Sequence, residues 1–184
     1  MLYIIRHGKT DWNAAYRLQG RTDIPLNEEG RQMARKAAEH YKKINFDVCY
    51  CSPLIRAQET AKILLEGRKV PIITDDRIVE MCFGKFEGCE NAFQHPEWEI
   101  YKFFNDPENY VAKDGAESFE ELFARTGDFL KSVVEPDLKQ GKDVLIVGHG
   151  AMNNSIISQV RNIPLKDFWT IAIPNCELIY LSCQ

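Results

Sequence analysis

Short apolar runs that end abruptly in polar or glycine residues limit the folds open to this chain. Five such runs, rich in β-branched or aromatic residues, are predicted strands: Leu2 to Arg6, Phe46 to Cys51, Val70 to Thr74, Asp143 to Gly148 and Cys176 to Cys183. Helical patterns lie between them. Because strands that alternate with helices pair in parallel and are covered on both faces, the sequence predicts a three-layer α/β/α fold with a mostly parallel central sheet.

N-terminal signals predict where the helices begin. Asn27 is a candidate N-cap, and Ser118 forms a capping-box pattern with Glu121, three residues further on. Ser52-Pro53 predicts another helix start, with serine as the cap and proline at the first helical position. A fourth helix is expected to begin near Ala151.

The stretch from about 90 to 115 interrupts this alternation. It is rich in aromatic, Asn, Asp and Pro residues, which favours a small, partly helical insertion over the carboxyl edge of the sheet. The 184 residues, 45% of them apolar, suffice for one core. We therefore expect a single domain over 1–184, with the insertion as its lid.

Charge and composition argue against several classes of partner. The net charge is −4, which gives no global field to attract nucleic acid or an anionic membrane. No segment is long and apolar enough to cross a bilayer.

The six cysteines indicate reduced thiols in the cytoplasm. A signal-peptide pattern is missing from the first residues, and a chain of this size does not need disulfides. Cys49 and Cys51 could ligate a metal, but no second pair has zinc-site spacing, and we expect neither metal nor cofactor.

Two of the predicted strands end in a histidine followed by a glycine. His7-Gly8 follows the first strand and His149-Gly150 follows the fourth, with Arg6 beside the first pair. Arg56 lies within about a helical turn of the strand that ends at Cys51. Ligands bind beyond the carboxyl ends of parallel strands. If these strands are neighbours, two imidazoles and two guanidiniums meet at one edge, and the glycines let the backbone approach a bound group.

Such a set suits phosphoryl transfer. Arginine forks match phosphate oxygens, and neutral His7 can attack phosphorus if its other ring nitrogen donates to a fixed acceptor. His149 can donate a hydrogen bond to the transferred phosphoryl group. The negative charge of that group is then stabilised without a metal. The leaving oxygen needs a proton, for which Glu80 is the candidate donor and Asp11 a weaker one. The structural alternatives are a salt bridge from Arg56 to Glu59 or Glu80, or Glu80 as a surface carboxylate.

Six ordered segments carry a resemblance to a known family. They are RHGKTDWN (6–13), LQGRTDIPLNEEG (18–30), CSPLIRAQETA (51–61), EMCFGKFEG (80–88), GAES (115–118) and VGHGAM (147–152). The chain resembles the histidine phosphatase superfamily, or phosphoglycerate-mutase-like fold, in its small bacterial-type phosphatase branch.

This resemblance implies roles for individual residues. His7 would become phosphohistidine, with Arg6, Arg56 and His149 completing the phosphate pocket and Glu80 as proton donor. Asn13 would lie near the phosphate, Gln19 and Gly20 near the substrate, and Ala151 would contribute its backbone N–H. Three positions depart from the common pattern: GAES replaces GGES, Phe86 replaces a frequent tryptophan, and Asn154 replaces a frequent arginine.

The sequence thus predicts a phosphomonoesterase that hydrolyses a small phosphorylated metabolite through a phosphohistidine. A phosphoglycerate mutase is the first alternative. The insertion carries Lys102 and Lys113 against six acidic residues, which is unfavourable for bisphosphates or sugar acids, and its aromatic content suggests an apolar or ring-bearing leaving group. The second alternative is an inactive phosphate-binding interaction module, which the complete set of candidate residues disfavours.

Overall fold

A five-stranded sheet forms the centre of the protein. The computed structural model describes residues 1–181, and its strands are β1 (Leu2–Arg6), β2 (Val48–Cys51), β3 (Ile72–Thr74), β4 (Val144–Gly148) and β5 (Leu178–Leu181). Their order is β3-β2-β4-β1-β5; the first four are parallel and β5 pairs antiparallel with β1. The mostly parallel sheet is thus confirmed. The end of the strand predicted over 176–183 lies outside the described residues.

Helices cover both faces of this sheet. Those in residues 1–181 are α1 (Asp11–Ala14), α2 (Glu28–His40), α3 (Ile55–Leu64), α4 (Ile100–Asn105), α5 (Phe119–Phe129), α6 (Glu135–Lys139) and α7 (Gly150–Arg161), and a π-helical segment, Leu130–Val134, joins α5 to α6. Asn27 caps α2 by accepting from the N–H of Gly30. Ser118 and Glu121 form the capping box of α5. Both predicted caps are confirmed.

The predicted start of α3 is wrong. This helix begins at Ile55 and not at Pro53, because Leu54 is extended, with φ −71° and ψ 139°. The N–H of Ile55 donates to Asp23 Oδ1 at 2.7 Å, so a residue from a distant loop satisfies the helix N-terminus. Ser52 Oγ accepts from the Leu54 N–H at 3.3 Å, just before the helix, and also lies 2.7 Å from His149 Nε2.

Alternating strand residues form two cores, one on each face. Ile4, Ile146 and their neighbours pack against α5 and α7, whereas Ile5, Leu145 and Val147 pack against α2 and α3. All five residues of β4 are buried, as expected for a central parallel strand covered on both sides. The predicted three-layer arrangement follows from this alternation.

The insertion packs over the carboxyl edge of the sheet. It contains α4 flanked by the 3-10 turns Ala92–Gln94 and Pro107–Asn109. The ring of Phe103 stacks on Phe119 at 5.1 Å between centroids and meets the edge of Trp169 at 5.2 Å. Ala151, in the first turn of α7, belongs to the same apolar cluster, so the insertion lies beside the strand ends.

The cysteines of the described residues are free thiols. Cys49, Cys51 and Cys176 are buried, and Cys82 and Cys89 are partly buried. Burial raises the pKa of Cys51 and of Cys176 to about 12, so these two are inert core residues. Over residues 1–181, no helix combines the length and the apolar character that crossing a bilayer requires.

Candidate active site

The two histidines predicted at strand ends lie side by side. β1 and β4 are neighbours, and the His7 N–H donates to Gly148 O at 2.9 Å. His7 and His149 are 2% and 0% exposed, and their ring centroids are 5.2 Å apart. Both imidazoles can therefore contact one phosphoryl-sized group.

The local backbone fixes the tautomer of His7. Its Nδ1 lies 2.6 Å from Gly8 O, and a carbonyl oxygen can only accept, so Nδ1 carries the proton and Nε2 is a free base. Burial, followed by the charges of Arg56 and Arg6, holds the pKa of His7 well below its usual range. His7 is therefore neutral at pH 7.

His149 has the opposite tautomer. Arg56 Nε donates to His149 Nδ1 at 3.2 Å, so the proton is on Nε2, 2.7 Å from Ser52 Oγ. Burial, then Arg56, lowers the pKa of this imidazole well below its ordinary value. His149 consequently presents an N–H donor without bearing a charge.

Arg56 is the most deeply buried cation of the site. It is 1% exposed and donates to Gly20 O at 2.6 Å and Thr22 O at 2.9 Å. Burial lowers its pKa to about 10, which leaves it charged at neutral pH. Within residues 1–181 it forms no ion pair, and Glu59 contacts Arg31 instead. The salt-bridge alternative for Arg56 is thus wrong.

Glu80 is buried against the N-terminus of α7. Its carboxylate accepts from the N–H groups of Met81 at 2.9 Å, Met152 at 3.0 Å and Ala151 at 3.3 Å. Only 7% of the residue is exposed, so the surface-carboxylate alternative is wrong. Ala151 was expected to contribute its backbone N–H to the phosphate and substrate site. This N–H is present, but it donates to Glu80.

Arg6 and Glu80 both lie beside Gly150. A Cβ placed on Gly150 would be 3.8 Å from Arg6 Cζ and 3.8 Å from Glu80 Oε2. Arg6 is half-buried and donates through Nη1 to Ile173 O at 3.1 Å. Burial lowers its pKa, and Glu80 partly offsets this effect. A cation and a carboxylate therefore share one small space beside His149.

Asn13 and Gln19 are joined through Thr10. The hydroxyl of Thr10 lies 2.9 Å from Gln19 Oε1 and 3.1 Å from Asn13 Oδ1. Asn13 also completes the capping box of α1 with Thr10. Asp11, the weaker candidate acid, is exposed at the first position of α1.

The glycines have structural reasons of their own. Gly20 has φ +55°, and its carbonyl accepts from Arg56. A Cβ on Gly8 would lie 2.6 Å from Gly30 O, so Gly8 allows the loop to pack on α2. Gly8 therefore has a packing role, and the expectation that it also lets the backbone approach a ligand stays a prediction.

Two cavities adjoin Arg6. The larger, about 440 Å³, lies beside the α1 segment, and the smaller, about 300 Å³, lies between α7 and the segment before β5. The larger is lined by Arg6, Lys9, Asn13, Ala14, Tyr16, Arg17, Leu18, Ala92, Phe93, Phe104 and Asn175. Its charged lining is wholly cationic.

The acidic side chains of the insertion do not line either cavity. Glu90 pairs with Arg17 at 2.8 Å and Glu99 pairs with Lys113 at 2.8 Å. Arg17 lines the larger cavity, so one acid of the insertion lies beside that opening, and the charge argument against a mutase stays a prediction.

The sequence model of the histidine phosphatase superfamily (branch 1) matches residues 2–184. The chain belongs to the histidine phosphatase superfamily. This histidine phosphatase is 36% identical to PhoE, an uncharacterized phosphatase of Bacillus subtilis (strain 168), over 160 residues that cover 85% of this chain and 75% of the relative. It is 30% identical to the 2,3-bisphosphoglycerate-dependent phosphoglycerate mutase 2 of Gloeobacter violaceus, covering 100% of this chain and 86% of the relative. The solved structure of Bacillus stearothermophilus YhfR superposes with a TM-score of 0.86 at 32% identity, over 96% of this chain and 88% of that one.

Three polar residues that position active-site groups of this histidine phosphatase were not predicted from the sequence. Ser52 contacts His149, Thr60 Oγ1 accepts from the Gly8 N–H at 2.9 Å, and Asn175 Nδ2 donates to His7 O at 2.7 Å. Ser52 and Thr60 belong to the CSPLIRAQETA segment, which could have drawn attention to them. For Asn175 the sequence offers no signal beyond its place before β5.

Proposed function

We propose that this histidine phosphatase is a phosphomonoesterase that transfers the phosphoryl group of a small phosphate ester to His7 and then to water. The observation that carries the proposal is the 2.6 Å contact between His7 Nδ1 and Gly8 O, which leaves Nε2 unprotonated. Arg6 and Arg56 supply positive charge beside this base. A buried neutral imidazole close to two guanidiniums is suited to attack phosphorus.

The reaction has two halves. His7 Nε2 forms a bond to phosphorus as the ester P–O bond breaks, and a proton from Glu80 goes to the leaving oxygen. Water then attacks the phosphohistidine, gives its proton to Glu80 and releases phosphate. The three N–H groups that surround Glu80 stabilise the carboxylate formed in the first half. Arg6, Arg56 and the Nε2–H of His149, which exchanges Ser52 Oγ for a phosphoryl oxygen, stabilise the transferred group without a metal or cofactor.

Phosphoglycerate mutation is the second candidate. The relative from Gloeobacter bears a mutase name, which supports this candidate. The charge of the larger cavity adds little, because Lys9 pairs with Glu29 at 2.9 Å and Arg17 pairs with Glu90 at 2.8 Å. We favour hydrolysis because PhoE, at 36% identity, is described as a phosphatase. Incubation with 3-phosphoglycerate separates the two: faster appearance of 2-phosphoglycerate than of free phosphate overturns hydrolysis as the main activity.

The test of the chemistry is a labelled-phosphate experiment in EDTA. The wild type should hydrolyse phenyl phosphate and carry label on His7 after rapid quenching, and His7→Ala should lose both, with a rate at least about a hundredfold lower. His40→Ala, at the far end of α2, is the matched control and should retain activity. Absence of turnover in the wild type supports the inactive binding module, and activity that EDTA abolishes refutes metal independence.

We further propose that 1–184 act as one domain with 90–115 as its lid, and that the protein works in the cytoplasm on small molecules rather than on nucleic acid or membranes. The free thiols of the described cysteines support the location. Packing of Phe103 in the insertion against Phe119 of α5 supports the single domain.

A further inference from the structure

The GAES segment (115–118) contributes an acid, Glu117, that the proposed reaction does not use. Glu117 is 8% exposed, and its two carboxylate oxygens contact one guanidinium. Its Oε1 accepts from Arg125 Nε at 2.6 Å, and its Oε2 accepts from Arg125 Nη2 at 3.0 Å. Two parallel contacts of this kind fix the orientation of both side chains. Taking a carboxylate out of water is costly even when it is paired, so stability alone is a weak reason for this acid.

Arg125 holds the backbone directly before Glu80, the proposed proton donor. Its Nη1 donates to Arg77 O at 2.6 Å and to Val79 O at 2.8 Å. Because Glu117 engages Nε and Nη2 of the same planar group, the guanidinium is oriented with Nη1 toward these two carbonyls. Glu117 thereby determines how Arg125 holds this part of the chain.

Glu117 itself holds the backbone directly after Glu80. The Cys82 N–H donates to Glu117 Oε2 at 3.2 Å, and the Glu117 N–H donates to Cys82 O at 2.8 Å. Arg21 joins the two parts, because its Nε donates to Glu80 O at 3.2 Å and its Nη2 lies 3.3 Å from Glu117 Oε2. The chain is therefore held before, at and after Glu80.

These contacts matter because the segment 79–82 belongs to no helix or strand. The hydrogen bonds of regular structure therefore do not fix Glu80, and the Glu117–Arg125 pair takes their place. A general acid must lie within hydrogen-bond reach of the oxygen that it protonates, and a misplacement of about 1 Å can lower a rate about a hundredfold.

We propose that Glu117 and Arg125 are positioning residues that hold Glu80 where its proton reaches the leaving oxygen. The inference rests on the proposed function, in which Glu80 is the proton donor. Both residues act through the backbone of 79–82 and not by contact with the substrate. The GAES segment thus serves proton transfer rather than phosphate binding.

The test compares kcat/KM for two esters whose leaving oxygens differ in their need for a proton, namely 4-nitrophenyl phosphate and phenyl phosphate. 4-Nitrophenolate is a weak base and leaves without a proton, whereas phenolate is more basic and depends on the acid. Glu80→Gln removes the donor and should lower kcat/KM for phenyl phosphate about a hundredfold; Glu117→Gln only displaces it and should lower this value about tenfold. Both variants should keep kcat/KM for 4-nitrophenyl phosphate within about threefold of wild type.

Asp137→Asn is the matched control for the loss of a buried, paired carboxylate. Asp137 is also 8% exposed, lies 2.7 Å from Lys142 Nζ and accepts from Tyr50 Oη at 2.7 Å. It belongs to α6, which leads into the amino end of β4, whereas the site lies at the carboxyl ends of the strands. Asp137→Asn should lower the thermal midpoint, as Glu117→Gln should, but keep the ratio of the two kcat/KM values at the wild-type level.

The ratio of kcat/KM for 4-nitrophenyl phosphate to that for phenyl phosphate decides the inference. A ratio that rises in both Glu80→Gln and Glu117→Gln supports it. If the ratio rises in Glu80→Gln but not in Glu117→Gln, Glu117 is merely structural, and the inference fails while the proposed function stands. If the ratio does not rise in Glu80→Gln, Glu80 is not the proton donor, and the inference fails together with that part of the proposed function. Should Glu117→Gln fail to fold, Arg125→Lys, which keeps the charge but not the planar fork, is judged by the same ratio.

Discussion

At the scale of single residues, the site depends on which nitrogen of His7 carries the proton. The Gly8 carbonyl sets this, and Thr60 fixes Gly8 in turn. Thr60 is fully buried; its hydroxyl accepts from the Gly8 N–H at 2.9 Å and donates to Arg56 O at 2.7 Å. One threonine thereby links the nucleophile's backbone to the helix that carries a phosphate-binding arginine.

Thr60→Val should lower kcat with little change in KM. The valine keeps the shape but leaves the Gly8 N–H without its acceptor, at a cost of about 1–3 kcal/mol, so we expect a rate roughly tenfold to a hundredfold lower. Thr60→Ser keeps the hydroxyl and should restore most of the rate. Steady-state kinetics and the level of phosphorylated His7 measure both. Full activity in the valine variant would show that Thr60 does not position the nucleophile.

At the scale of elements, close backbone contacts hold α2 and α3 against the loop that follows β1. Gly30, in the first turn of α2, lies against this loop, and a Cβ there would be 2.0 Å from Lys9 O. Asp23 accepts from the first N–H of α3 at 2.7 Å. The loop that contains the nucleophile is thus packed against the first turn of α2 and hydrogen-bonded to Thr60 of α3.

Gly30→Ala should destabilise the protein although alanine is the better helix former. Helix propensity favours alanine by about 1 kcal/mol, but the new Cβ meets a backbone oxygen that cannot move aside without shifting the loop. Gly127→Ala in α5 is the matched control, because its Cβ would meet only the end of the Gln159 side chain and no backbone atom. Urea denaturation should show a lower free energy of unfolding for Gly30→Ala and an equal or higher one for Gly127→Ala. Equal values for the two variants would disprove the backbone clash.

At the scale of the whole molecule, two buried neutral histidines make stability depend on pH. The folded pKa values of His7 and His149 lie well below 6.5, so below pH 6.5 the unfolded chain binds more protons than the folded one. The free energy of unfolding therefore falls as pH decreases from about 6.5, by up to about 1.4 kcal/mol per pH unit for each histidine. We therefore expect acidification to destabilise the protein by charging its own active site.

Urea denaturation between pH 7.5 and 5.5 should reveal this dependence. We expect a flat region above about pH 7 and a decline below about pH 6.5, and His149→Gln should reduce the slope by about half whatever its absolute stability. The chosen range lies above the region where Asp75 and Asp137, whose pKa values are lowered, add their own acid sensitivity. A slope that is unchanged in His149→Gln would mean that this histidine is already protonated in the fold.

The sequence by itself determined the strands, two helix caps, and the meeting of His7, His149, Arg6 and Arg56 at one edge. These follow from local patterns and from one rule, namely that parallel strands present their carboxyl ends together. Only the tertiary structure decided that Asp23 rather than Ser52 satisfies the start of α3, and that cations rather than the acids of the insertion line the larger cavity. Each of these depends on contacts between residues far apart in the chain, and the pairing of such residues is set by packing, which local sequence does not encode.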